Sequence, residues 1–349
     1  MLNAVPASVP DIDLGLLDDL IGQVETVFRG KRETVRLSLA ALLARGHLLF
    51  EDIPGVGKTT LARALTAALG LEFRRIQFTS DLLPSDVLGV SVYNPRTHEF
   101  ETRPGPVFTN VVLADEINRA PPRTQSGLLE AMQEGRVTID ERSYDLPRPF
   151  LVMATQNPLE QHGTYPLPES QLDRFLMRLS IGYPDADEER SILLRSVGVG
   201  DPVERMRPVL DPVAVLALQE RVETVHAEPS IVDYLMEIVR ATRAEPRLRA
   251  GASTRAAIGL FRAARAYALV DGREFLVPDD VRRLVVPVLA HRLLPTGAAG
   301  ATGEAYEAAV AVLEDDPHFN AGRGAVFTYD GVNELDAAVM RGDTRAAGA

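Results

Sequence analysis

Cysteine is absent from the 349 residues. Its absence excludes disulfides, thiolate metal sites and a cysteine nucleophile together. Lysine is scarce too: only Lys31 and Lys58 are lysines among 37 basic residues, the rest being arginine. Such a bias reads as GC-rich coding, and it draws attention to any lysine that remains. Long apolar runs are also missing. The longest candidate, 276–295, is broken by Asp279, Asp280, Arg282, Arg283 and Arg292, so no membrane insertion is expected. Met1 to Leu20 carries four acids and no base, unlike the charged start of a secretory signal. These two features make a cytoplasmic protein the expectation. Positive charge is in deficit, 37 basic against 49 acidic residues for a net of -12, which argues against a nucleic-acid partner. Half of that deficit sits between Gly300 and Ala349, where nine acids face three arginines. The rest of the chain is only mildly acidic, and the charge argument is weaker for it.

The length favours two domains. In the first half, apolar runs of strand length alternate with helical patterns, which predicts an α/β fold with a parallel sheet and helices on its faces. Strands are expected at 47–51, 73–78, 110–114 and 150–155, and a helix at 59–69 with Leu61, Leu65, Ala68 and Leu69 on one stripe. Polar residues cluster where the strands stop, the edge at which open α/β sheets bind ligands. After about 187 the strand signals vanish. Helices are expected at 187–196, 213–224, 231–242, 253–269 and 279–289, which makes a separate all-α domain. Residues 296–303 form a small-residue linker.

Pro54-Gly-Val-Gly-Lys-Thr59 lies between the first strand and the first helix. In that position glycines let backbone N–H groups turn toward phosphate oxygens, the helix N-terminus adds partial positive charge, and Lys58 reaches the β and γ phosphates of a nucleotide. Thr59 would offer its hydroxyl to Mg²⁺. The strict G-x-x-x-x-G-K-[ST] pattern fails at its first position, which is Asp52. Val111-Val-Leu-Ala-Asp-Glu116 supplies an apolar strand ending in two acids, Asp115 to hold Mg²⁺ through water and Glu116 to polarise the attacking water. Asn157 could orient the same water, although Asn-Pro is also a common turn initiator. Arg174 and Arg255 lie near expected helix ends, where a guanidinium can be held out to a γ-phosphate; spacing alone leaves a solvated surface role open for each.

The order of Pro54 to Thr59, Asp115-Glu116, Asn157, Arg174, helical domain and Arg255 resembles an AAA+ ATPase. More narrowly, Phe78-Thr-Ser-Asp-Leu-Leu-Pro-Ser-Asp-Val-Leu-Gly89, Arg103-Pro-Gly-Pro-Val-Phe108, Asp115-Glu-Ile-Asn-Arg-Ala120, Leu129-Glu-Ala-Met-Gln-Glu134, Ala154-Thr-Gln-Asn-Pro158, Gly163-Thr-Tyr-Pro-Leu-Pro-Glu169 and Leu172-Asp-Arg-Phe175 look like the MoxR family, over roughly residues 12 to 295. Asp52 in place of the first loop glycine is a variant associated with that family.

The resemblance implies an N-terminal helical segment (1–30), an αβα P-loop ATPase core (31–185) and a helical lid (186–295), assembled as a hexameric ring with ATP at subunit interfaces. Pro54, Gly55, Val56, Gly57, Lys58, Thr59 and Thr60 would bind nucleotide, and Thr59 and Asp115 would hold Mg²⁺. Lys58, Thr59, Asp115 and Glu116 would act in cis, with Asn157 as first sensor and Arg255 as second sensor on the lid. Arg174 would reach a neighbour's γ-phosphate, with Arg178 as a competitor. The stretch 91–104 and the hairpin suggested by 135–139 and 144–146 would face the pore or client. The implied activity is hydrolysis of ATP to ADP and phosphate by a chaperone-like enzyme that remodels or matures client proteins, often with a von Willebrand factor A domain partner. A nucleotide-binding scaffold with little turnover is the alternative, and a nucleic-acid motor a weaker one.

Residues 296–349 depart from that family. The runs 307–316, 319–328 and 334–340 look like an internal piece of a plant-type asparaginase or isoaspartyl peptidase, a family whose nucleophilic threonine lies well downstream of the matching piece. No such hydrolase activity is expected from this stretch. About 46 residues torn from a larger sandwich are below the size that folds alone, so an accidental junction is favoured over a natural fusion. Residues 304–316 could still form a helix, with Ala305, Ala308, Ala309, Val312 and Leu313 on one small apolar face.

Overall fold

The computed structural model describes residues 12–157, 163–195, 200–296 and 303–315. The elements run α1 (Gly15–Val27), α2 (Arg32–Leu43), β1 (Leu48–Glu51), α3 (Lys58–Ala68), β2 (Phe73–Gln77), α4 (Pro84–Leu88), β3 (Gly89–Asn94), β4 (Glu99–Pro104), β5 (Val111–Asp115), α5 (Pro122–Glu134), β6 (Arg136–Ile139), β7 (Arg142–Asp145), β8 (Leu151–Gln156), α6 (Glu169–Leu172) and β9 (Met177–Leu179). They continue as α7 (Ala186–Arg195), α8 (Pro212–Val222), α9 (Pro229–Ala244), β10 (Leu248–Ala250), α10 (Thr254–Val270), α11 (Pro278–Leu289), β11 (Leu294–Pro295) and α12 (Gly303–Asp315).

Five strands form one parallel sheet in the order β2-β5-β8-β1-β9. The middle strands are apolar at successive positions because both faces are covered. Leu48, Phe50, Val111, Leu113, Leu151 and Met153 enter one core with α1, α2, α3 and the helical layer. Leu49, Val112, Ala114, Val152 and Ala154, one residue out of phase, enter a second core with α5 and the β6–β7 hairpin. The period of two thus sorts each strand's side chains between two cores. The four expected strands are present, each within about a residue or two of its expected ends. The fifth, β9, was not expected.

The hairpin expected from 135–139 and 144–146 forms as β6–β7, and the stretch 91–104, for which no strands were expected, lies in a second hairpin, β3–β4. The expected lid helices appear as α7 to α11. Helix α10 is rich in buried alanines (Ala256, Ala257, Ala263, Ala264, Ala266 and Ala268), which let it lie close to α2 and α11. Its first turn is capped by the Ser253 hydroxyl accepting from the Ala256 N–H at 3.1 Å. The Tyr267 hydroxyl donates to Glu33 at 2.9 Å, joining α10 to α2.

The tail departs from the expectation in one respect. Helix α12 does form and dock, with Ala305, Ala309, Val312 and Leu313 buried and Ala309 and Leu313 part of the first core. Ala308, placed on the apolar face, is instead exposed, because the docked face follows the 305–309–312–313 track and 308 falls to its flank. Residues 316–349 and 1–11 lie outside the described residues. Among the described residues no helix is long and apolar enough to cross a membrane.

Candidate functional site

At the C-terminal edge of the sheet, a cavity of about 380 Å³ is lined by Pro54, Gly55, Gly57, Lys58, Thr59, Thr60, Arg75, Gln77, Asp115, Glu116, Thr155 and Asn157. Nine of these are residues singled out by the sequence. The loop between β1 and α3 turns through Gly55 (φ +88°) and Gly57 (φ +96°), a backbone that side-chain-bearing residues adopt at a cost. Gly57 caps α3, so Lys58 and Thr59 open the helix whose N-terminus faces the cavity. Val56 turns the other way and packs into the core.

Asp52 explains its own departure from the glycine pattern. Its buried carboxylate accepts from the Ser180 hydroxyl at 2.8 Å, the Ile181 N–H at 2.6 Å and the Gly182 N–H at 3.2 Å. Its carbonyl accepts from Lys58 Nζ at 2.8 Å. The residue therefore ties the start of the loop to the segment beyond β9, a task glycine has no atoms for. Burial lowers the Lys58 ammonium from its ordinary value, and the carboxylates of Asp52, Asp115 and Glu116 pull it back upward.

Asp115 ends β5, and Glu116 follows in the left-handed region at φ +58°. A non-glycine residue held there marks a spot where the surroundings fix the backbone. The Glu116 N–H donates to Thr155 Oγ1 at 2.9 Å, and the Thr155 hydroxyl donates to Asp115 Oδ1. Arg75 donates to Asp115 Oδ2 through Nε at 3.1 Å and also to Gln77 Oε1 at 2.9 Å. Gln77 Nε2 in turn donates to Glu116 Oε2 at 2.9 Å, and Arg119 pairs with the same oxygen at 3.1 Å. Sequence reasoning missed Arg75, Gln77 and Thr155. The available signal was the polar alternation of β2, whose positions 75 and 77 share a face beside β5.

Arg174 and Arg255 do not line the cavity. Arg255, in the first turn of α10, pairs with Asp173 at 3.6 Å and is more than half exposed. Arg174 is partly exposed and has no ion-pair partner among the described residues. Arg178 is buried on β9 and paired with Glu51; burial lowers its guanidinium to about 10.

The family model for the ATPase family associated with various cellular activities matches residues 47–177, and that for the AAA lid domain matches 240–315. The chain is 52% identical over 279 residues to the uncharacterized protein YeaC of Bacillus subtilis, covering 80% of this chain and 87% of that protein. It is 44% identical over 289 residues to the chaperone MoxR1 of Mycobacterium tuberculosis, covering 80% of this chain and 76% of that protein. The chain belongs to the MoxR family of AAA+ ATPases. A crystal structure of a candidate ATPase from Cytophaga hutchinsonii shares the fold at a TM-score of 0.77 and 37% identity, over 85% of this chain and 94% of that one. At the other end, the asparaginase family model matches residues 285–349. There the chain is 60% identical over 50 residues to the plant-type L-asparaginase of Pyrococcus furiosus, covering 14% of this chain and 16% of that protein. Residues 285–315 of this MoxR-family chain thus satisfy both the lid model and the asparaginase model.

Proposed function

We propose that the chain hydrolyses ATP at the cavity beside α3 and works as a ring-forming, MoxR-type remodelling enzyme of the cytoplasm. The observation that carries this reading is the convergence of Lys58, Thr59, Asp115, Glu116 and Asn157, from three separated stretches of sequence, on one cavity at the sheet edge. The left-handed glycines, the helix N-terminus and Lys58 fit a triphosphate. Thr59 and Asp115 would hold Mg²⁺. Among the described residues no three His, Asp or Glu side chains gather as a cage, which suits an ion shared with substrate phosphates. The bound ion would neutralise charge on the phosphates. Glu116 accepts a proton from the attacking water, and Asn157 orients that water.

We assign residues 31–185 to the ATPase core and 186–295 to the lid, which α12 extends. Arg174 is the residue offered to a neighbouring subunit of a hexamer, since Arg178 is engaged within its own chain. Arg255 acts as the second sensor after leaving Asp173. Client proteins, and a partner with a von Willebrand factor A domain, complete the reading. The scaffold alternative would require the altered C-terminus to spoil the packing of the lid, and the docking of Ala309 and Leu313 of α12 into the first core speaks against it. Replacing Glu116→Gln tests the proposal: nucleotide binding should persist and turnover fall by about a hundredfold or more. Undiminished hydrolysis overturns the assignment.

A further inference from the structure

We infer that Tyr306, on the helix that carries asparaginase-like sequence, is a positioning residue for the loop at 52–58. The inference rests on the proposed function only in naming that loop's ligand.

Helix α12 is fastened to the lid. Its Ala309 and Leu313 are fully buried, and Asp315 at its end pairs with Arg247 at 2.7 Å. That docking lays the Tyr306 ring over the Arg178 guanidinium, 3.6 Å from the ring centroid. Arg178 belongs to β9 and pairs with Glu51, the last residue of β1; the two side chains are only 8% and 10% exposed. The next residue, Asp52, is clasped by Ser180, Ile181 and Gly182 on the same segment of chain. Two successive residues at the take-off of the loop are therefore held to the β9 segment. Tyr306 is the wall over the first of these clasps.

A buried ion pair depends on the exclusion of water and on groups that compensate its lost hydration. The face of an aromatic ring does both for a guanidinium, since it is apolar in bulk and negative at its centre. Without the ring, water reaches Arg178, its attraction to Glu51 weakens, and the ends of β1 and β9 separate more often. Lys58, bonded to the Asp52 carbonyl, loses its reference point. A segment resembling another enzyme thus takes part in shaping the nucleotide loop.

The test uses the full chain without nucleotide, so that its result does not depend on ATP binding. Deuterium exchange is followed in peptides covering 48–60, 176–183 and 15–27, for the parent and for Tyr306→Phe, Tyr306→Leu and Tyr306→Met. The Leu and Met variants fill the space without a ring face and should exchange about fivefold faster in the first two peptides, with 15–27 unchanged. Tyr306→Phe should stay close to the parent. The inference is overturned if 48–60 exchanges alike in all variants, or if the Phe variant loosens as much as the Leu variant. It is also overturned if the Leu and Met variants speed exchange everywhere, which would make Tyr306 a general stability residue. A separate titration of the parent with ATP tests the proposed function alone: failure to bind sinks that reading and leaves the exchange comparison standing.

Discussion

The Thr155 hydroxyl donates to Asp115 Oδ1 at 2.6 Å. Thr155 Oγ1 itself accepts from the Glu116 N–H at 2.9 Å, so one side chain on β8 sets both carboxylate residues at the end of β5. Replacing Thr155→Val keeps the shape and deletes both hydrogen bonds. Loss of a hydrogen bond to a charged group should lower kcat about tenfold and raise the Mg²⁺ concentration needed for half-maximal turnover. Thr155→Ser should restore both. Steady-state kinetics at varied Mg²⁺ would show it, and a Val variant with the parent's Mg²⁺ response would argue against this role.

Restoring the strict loop pattern with Asp52→Gly should harm the protein. Three donors, two of them backbone N–H groups, lose their acceptor, at a cost of about 2–4 kcal/mol. Urea unfolding of the variant beside the parent measures it; equal midpoints would mean that the clasp adds nothing.

Two nearby arginines should separate cleanly. Arg174→Ala should leave the fold intact and lower hydrolysis by about a hundredfold or more if it serves a neighbouring subunit. Mixing that variant with Glu116→Gln should recover part of the activity, because mixed rings contain sites with an intact Glu116 beside an intact Arg174. Absence of any recovery counts against a role in trans. Arg178→Ala should instead destabilise by about 3–5 kcal/mol, since it strands the buried Glu51 carboxylate.

Stability should fall on the acid side. Burial pushes the His47 imidazole down to about 4, where its Nδ1 accepts from the Val152 N–H at 3.0 Å and Nε2 lies 3.0 Å from the Met132 carbonyl. The unfolded chain titrates this group near pH 6.5, so between about 6.5 and 4 the unfolded state binds more protons and the folded state loses ground. Integrated over that window the loss is on the order of 3 kcal/mol. Burial drives His291 in the same direction. Unfolding midpoints at pH 7 and pH 5, for the parent and His47→Gln, should show a smaller drop in the variant, which has no imidazole to charge.

Much of this was legible in the sequence because the signals are local. The apolar runs of β1, β5 and β8 mark strands buried on both sides, and the loop around Lys58 sits where strand passes to helix. What escaped notice depends on contacts between distant segments. Strand β9 has only three residues and borrows its place from pairing with β1. Arg75 and Gln77 read as solvated charge and amide until β2 is laid beside β5. Arg255 could be placed at a helix start, yet its pairing with Asp173 needs the lid folded back onto α6. The tail divides in the same way: the spacing of its small apolar residues foretold a helix with a face to dock, whereas the surface that α12 packs against depends on the folded lid.

The clasp on residues 180–182 has a mechanical consequence. Lys31 Nζ donates to the Tyr183 carbonyl at 2.9 Å, and Asp185 and Glu188 exchange capping bonds at the start of α7. Between the last tied residue of the core and the capped helix of the lid stands Pro184 alone. Along this strand of the connection the joint has a single residue of play, and that residue's φ is locked by its ring. A swing of the helical layer about this joint would pull on residues 180–182 and, through them, on Asp52 at the start of the loop between β1 and α3, as a lever with a short, stiff hinge pin moves whatever the pin is set in.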